Sequence, residues 1–196
     1  PGDAAFSDAE RQLLDAVNRR VAAQESTEAI VDFLFEQMQG VMPCDRVSIA
    51  LLEDEGRRLV SRHTRAAYEP LRLDNGYAED LAGSSLEQVF QRNDLRIIHD
   101  LQAYLADHPR SRSTRALVKE GVRSNLTCAL AVDGRRVGVL FRSSRRPHAY
   151  DTHQAHLLAA VAERLSQAVE KTWRIEQLAA ATAAYTEMLE IGRAHV

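Results

Sequence analysis

The side chains best equipped for chemistry are scattered along the chain, and none completes a catalytic set. His148, His153 and His156 cluster where a helical pattern begins, with His153 and His156 one turn apart on one face. Imidazoles so placed can ligate a metal, but a metal needs a third well-placed donor, and only Asp151 is near. The cluster reads instead as the polar first turn of a helix. Cys44 and Cys128 could form a redox pair, yet they lie far apart in the chain, and Cys128 falls on the apolar side of a strand pattern, where burial leaves a thiol inert. Arg110, Arg112, Arg115 and Arg123 could gather around an anion, whereas Arg135, Arg136, Arg145 and Arg146 read as a solvated rim. No phosphate-cradling loop, nucleophile–base pair or paired acidic motif occurs. The chain by itself is therefore expected to catalyse nothing, and phosphotransfer from ATP is expected to need sequence beyond Val196.

The bulk properties narrow the function classes further. The chain has 196 residues, 45% hydrophobic and 27% charged, enough to bury the core of one domain with extensions. A net charge of -3 gives no electrostatic reason to expect nucleic acid or a membrane surface as partner. Arginine outnumbers lysine 23 to 2, which points to a GC-rich genome more than to any chemistry. No apolar run approaches a membrane span and no signal peptide opens the chain, so a cytoplasmic protein with reduced cysteines is expected.

The elements that must position these residues are legible from caps and periodicity. Ser7-Asp8-Ala9-Glu10 is a capping-box pattern, followed by Leu13, Leu14, Val17 and Val21 at helical spacing to about Ala23. A second helix is predicted from Thr27 to about Gln39, stopped by Gly40. Strands are expected over 45–52 and 58–65, an irregular strand within 66–81, a helix capped at Ser84 running to Arg92, and a short strand over 96–99. Two helical patches, 101–106 and 114–120, lie in the polar stretch that follows. Asp151-Thr152-His153-Gln154 opens a last helix that meets no Pro or Gly until Gly192. Apolar or small residues recur at Leu158, Val161, Leu165, Ala168, Thr172, Ile175, Leu178, Thr182, Tyr185 and Leu189, which is coiled-coil spacing with one irregular step.

Between these lies a hairpin around which the chain is arranged. Ser124–Val132 and Arg135–Ser143 read as strands joined by Asp133-Gly134, a two-residue turn in which both residues need positive φ. In the simplest register Leu130 faces Val137, Cys128 faces Val139 and Leu126 faces Phe141, a bulky apolar side. On the other side Asn125, Thr127, Ala129 and Ala131 face Arg142, Leu140, Gly138 and Arg136, small enough at the centre for a helix or ligand to approach. Hairpin, Arg-Arg-Pro turn (Arg145, Arg146, Pro147), aromatic (Tyr150) and long helix together resemble the end of a GAF domain, and the resemblance extends over roughly Ser26 to Lys171.

The resemblance implies an α/β (α+β) fold: a central, mostly antiparallel sheet of about six strands, flanked by helices, with a long C-terminal signalling helix. It implies an N-terminal helix over 1–25, a sensory domain over 26–171, and a coiled-coil linker and tail over 172–196. It places a ligand pocket between the sheet and the 66–81 and 100–121 segments, for which His63, Tyr77, Asp100, Tyr104, Arg123, Asn125 and Thr127 are the expected lining. Bilin attachment needs a Cys in 100–121, and there is none. Haem would call on His63 or His99, and reduction of methionine sulfoxide needs more cysteines. The cyclic-nucleotide signature is absent, so no cofactor is expected. Ala184–Glu190 resembles the opening of the dimerisation helix of sensor histidine kinases, but His195 lacks the acidic neighbour of a phospho-acceptor. The expected function is regulatory: the input module of a bacterial two-component protein, binding a small molecule or partner. It would act as a parallel homodimer through Leu14, Val17, Val161, Leu165, Ile175, Leu178, Tyr185 and Leu189, on a downstream kinase. The alternatives are a structural dimerisation module without ligand, and a haem or redox sensor.

Overall fold

In the computed structural model, which describes residues 5–92 and 94–196, the two terminal helices meet on one face of a single sheet. Six strands, β1 (Arg46–Glu53), β2 (Arg58–Ala66), β3 (Ala78–Asp80), β4 (Leu95–Ile98), β5 (Ser124–Val132) and β6 (Arg135–Ser144), form it in the order β3-β2-β1-β6-β5-β4. Every neighbouring pair is antiparallel. Helices α1 (Asp8–Ala22), α2 (Thr27–Gln37) and α6 (Thr152–Ala194) cover one face. Helices α3 (Ser85–Gln91), α4 (Leu101–Asp107) and α5 (Arg112–Lys119) lie over the other, with the 67–77 loop. This is the α+β plan expected, with the hairpin β5–β6 inside the sheet and covered on both sides.

Local chemistry explains most boundaries. The boxes at Ser7 and Asp151 both form, each cap accepting from the backbone of its third helical residue while Glu10 or Gln154 accepts from the cap's own amide. The box expected at Ser84 does not. Its hydroxyl donates to Leu81 O, and the Glu87 carboxylate accepts from the Gly83 amide instead. Asp133 and Gly134 both take positive φ at the hairpin turn.

The register of the hairpin departs from the simplest pairing one step beyond that turn. Ala131 opposes Arg136, but Leu130 opposes Gly138, so Val137 is an inserted bulge residue. The slip carries Val139 and Phe141 to the face of α3 and turns Leu140 and Arg142 toward α2 and α6. A second bulge, at Arg62, sets Ile49 opposite His63 and Ala50 opposite Ser61. Because side chains alternate with period two, each bulge exchanges the faces of everything beyond it.

Helix α6 is 43 residues long and has two parts. Its first turns bury Leu157, Leu158, Val161, Leu165 and Val169 against β5 and α1, each contributing about 1.5–3 kcal/mol by leaving water. Ser166 Oγ also accepts from the Ala131 amide at 3.1 Å, joining helix to sheet. Beyond Val169 the burial fades, and from Gln177 onward every residue is exposed. Three contacts root the emerging segment: a bidentate Arg135–Glu170 pair at 2.8 and 2.9 Å, Trp173 under the Arg62 guanidinium, and Glu176 accepting from the Thr27 amide. Leu14, Val17, Val161 and Leu165, expected at a dimer seam, are at most 3% exposed. They form the α1–α6 part of the chain's own core and have no surface left for a second copy. Ile175, Leu178, Tyr185 and Leu189 stand 44–69% exposed.

Glu10 ties α1 to the start of α6, accepting from the Ser7 amide and lying 2.8 Å from His153 Nε2. His153 is thus engaged by a carboxylate of α1. Burial alone pushes the Glu10 carboxyl up. The hydrogen bonds from Ser7 and the His153 contact outweigh it and hold the carboxyl below its ordinary value of 4.5. Its stabilisation is therefore complete above the unfolded-state value and is lost as pH falls through the lower folded-state value. Glu10→Gln should flatten the fall in unfolding free energy below about pH 4.5 while leaving the neutral plateau almost flat. Urea unfolding at stepped pH measures this, and an unchanged acid limb would assign it to other carboxylates.

Candidate functional site

The face of the sheet away from α6 is built from small and polar side chains at alternate positions. Along β1 these are Arg46, Ser48 and Ala50, while Val47, Ile49 and Leu51 point into the main core. Register carries the same pattern sideways: Ile98, Asn125, Ser143 and Arg46 form one row, and Arg96, Thr127, Phe141 and Ser48 the next. Helices α3, α4 and α5 bridge over this shallow centre without filling it. The result is a cavity of about 70 Å³, with room for roughly five to seven water-sized groups. Leu59, Leu73, Leu86, Leu101 and Leu117 give it apolar walls, and Tyr77 and Glu79 stand at the β3 side.

A buried electrostatic network holds the cavity's edge. Arg46, 3% exposed, donates from Nη2 to Leu73 O at 2.8 Å, and its Nε lies 3.6 Å from Glu120 Oε1. That is an ion pair but too long for a hydrogen bond. Burial pushes the Arg46 pKa down, against the pull of Glu120. Glu120 accepts from the Tyr68 hydroxyl at 2.5 Å and from the amides of Arg72 and Leu73 at 2.8 Å, so one carboxylate organises the 68–73 loop over the sheet. Desolvation, then the Glu120 hydrogen bond, raises the Tyr68 phenol well above its ordinary range. Tyr77 is raised for the same reasons, its hydroxyl donating to Glu79. Arg96 lies under the ring of Tyr104 and donates from Nη1 to Ser85 O, and burial lowers its pKa.

Of the expected lining residues, Tyr77 and Asn125 reach the cavity, and the Asn125 amide is engaged by Thr127 Oγ1 and the Ser143 hydroxyl. Tyr104 stacks on His108 and lines a separate, more open groove with Arg110 and Arg112. His63 is absent from the lining because the Arg62 bulge turns it to the α2 side of the sheet, opposite Ile49. Asp100 is the N-cap of α4 and pairs with Arg123 at 3.3 Å, so both serve the loop before β5. Thr127 is fully buried in the sheet row beneath. Sequence reasoning missed Arg46, Ser48, Ser61, Glu79 and Arg96. The available signal was the polar-apolar alternation Arg46-Val47-Ser48-Ile49-Ala50-Leu51, which marks a strand with one face kept for something polar.

The sequence model of the GAF domain matches residues 24–170. The chain belongs to the GAF family. Comparison with curated proteins finds no match. Among solved structures, a GAF domain from a phosphoenolpyruvate-protein phosphotransferase of Coxiella burnetii superposes with TM-score 0.68 at 16% identity, over 87% of this chain and 99% of that one. The GAF domain of a two-component sensor histidine kinase from Bacillus halodurans gives 0.64 at 17%, over 77% and 98%. The free methionine-R-sulfoxide reductase of Neisseria meningitidis, solved with its substrate, gives 0.64 at 19%, over 87% and 95%. At such identities the likeness establishes the fold alone. In this GAF domain both thiols are buried, and desolvation pushes Cys128 up to about 12 and Cys44 upward too, so neither is a ready nucleophile. Among the described residues no helix is long and apolar enough to cross a membrane.

Proposed function

We propose that this GAF domain is the sensory input module of a signalling protein, and that it reports occupancy of its cavity to an effector through α6. The observation that carries this reading is the continuity of α6. The same helix that forms the floor of the core continues, without a break, into a segment exposing Ile175, Leu178, Tyr185, Met188, Leu189 and Ile191. An isolated helix with that stripe is marginal in water, and Ile175, Leu178, Thr182, Tyr185 and Leu189 keep the 3–4 spacing of a two-stranded coil. A second, parallel copy of the chain covers it most simply. The division is then an N-terminal helix over 1–25, whose first four residues lie outside the described ones, a sensory body over 26–171 and a linker over 172–196. The effector is a histidine kinase in this reading. The resemblance of Ala184–Glu190 to a kinase dimerisation helix supports it, as does the fold shared with a sensor-kinase GAF domain, and the setting is cytoplasmic.

The wild-type chain should sediment as a dimer at high micromolar concentration. Ile175→Glu with Leu178→Glu should move it to monomer, raising the dissociation constant at least a hundredfold. The circular dichroism and melting of the body should hardly change, because both side chains lie outside its core. A wild-type monomer under those conditions would end the relay reading.

A further inference from the structure

The cavity has more hydrogen-bond donors than partners. Arg46 Nε, Ser61 Oγ and Arg96 Nε are buried atoms on its lining that find no hydrogen-bond partner among the described residues, and of the three Arg46 Nε alone has a carboxylate beside it, that of Glu120 at 3.6 Å. Arg46 and Ser61 are 3% and 8% exposed. All three atoms can donate, and no orphaned carboxylate or amide oxygen accompanies them on the lining. Arg96 is also without a carboxylate at ion-pair distance among the described residues. It donates to the Ser85 carbonyl and lies against the Tyr104 ring. Buried donors left unmade cost free energy that an arriving acceptor restores, and a guanidinium away from bulk water favours a carboxylate above neutral acceptors.

The other walls limit what carries that acceptor. Leu59, Leu86, Ile98, Leu117 and Phe141 require an apolar body, and about 70 Å³ admits only a short one. Glu79, at the β3 side with the Tyr77 hydroxyl on it, would face any second negative group. We infer that the cavity takes a short-chain monocarboxylic acid of about four carbons, its oxygens accepting from Arg96 and Ser61 and its hydrocarbon lying against the leucines. This rests on the reading of the cavity as the sensory site and adds the class of molecule sensed.

Butyrate, 1-butanol and inorganic phosphate separate the parts of the claim, since the alcohol keeps the hydrocarbon without charge and phosphate keeps charge without hydrocarbon. Isothermal titration of the full chain should show saturable butyrate binding, at least tenfold tighter than either comparator. Arg96→Met should weaken butyrate at least tenfold and Ser61→Ala a few-fold. Should Arg96→Met fail to fold, Ser61→Ala, which removes one oxygen at a buried site, carries the test. Butanol or phosphate binding as tightly as butyrate overturns the inference, as does butyrate affinity unmoved by these variants. The relay is judged separately: a wild-type dimer that ignores butyrate sinks the ligand class and leaves the relay. Butyrate binding to a wild-type monomer does the reverse.

Discussion

Arg142→Leu should destabilise the fold by about 3 kcal/mol, seen in urea unfolding as a lower midpoint with an unchanged slope. Arg142 is completely buried on the helix side of β6. It donates from Nη1 to Leu34 O at 2.9 Å and from Nε to Met42 O at 2.8 Å, with Nη2 also on Met42 O. Its charge sits at the C-terminal end of α2, where the helix dipole favours a cation. Leucine would strand both carbonyls in the core, at about 1–3 kcal/mol each, and leave a gap where the guanidinium was. Relief of the guanidinium's own desolvation, which already lowers its pKa, offsets part of that loss. Arg142→Lys keeps the charge but has no fork with which to reach two carbonyls, so most of the loss should remain. A change below about 1 kcal/mol for the leucine variant would show that water replaces the guanidinium there.

Gly138→Ala should be at least as damaging, about 3 kcal/mol or more, with soluble yield collapsing at 37 °C. A Cβ at this position would stand 2.3 Å from Ala50 O and 2.8 Å from Leu51 Cδ2. The first of these is backbone of the neighbouring strand, so it yields only if β1 and β6 separate. Gly134, four residues earlier, is needed for a different reason: its φ is +76° but nothing lies within 4 Å. Gly134→Ala should therefore cost only about 1 kcal/mol, from the left-handed backbone alone. Thermal melts of the two variants side by side distinguish crowding from backbone strain, and equal losses would refute the distinction.

The order of elements was legible because it is written in local signals. Ser7 with Glu10, Asp151 with Gln154, and Asp133-Gly134 each act over three or four residues, and the structure uses all three as expected. The bulges at Arg62 and Val137 were not legible, because an extra residue in a strand leaves the local alternation nearly intact and shows only against the partner strand. Their effect on the site was large: they moved His63 away from the cavity and Phe141 into it. Arg46 and Arg96 went unread because a charged residue opening a strand ordinarily faces water. Only the packing of α3, α4 and α5 turns that surface inward. Ser84 shows the converse, a sequence box whose hydroxyl found Leu81 O before the helix amides.

The unbroken run of α6 has a mechanical consequence. The segment beyond Glu170 projects as a continuous helix of roughly 35–40 Å at 1.5 Å per residue, so a tilt of about 5° at its base would swing its tip by about 3 Å. Its fulcrum is the cluster of Glu170, Trp173 and Glu176, clamped respectively by Arg135 at the hairpin tip, Arg62 at the β2 bulge and Thr27 at the head of α2. Those three anchors sit on different strands and helices, so a slight re-curling of the sheet pulls on them unequally. On the relay proposed above, the body would be the short arm of a lever whose long arm is the exposed part of α6, so that a sub-ångström shift at the base would become an ångström-scale one at the tip.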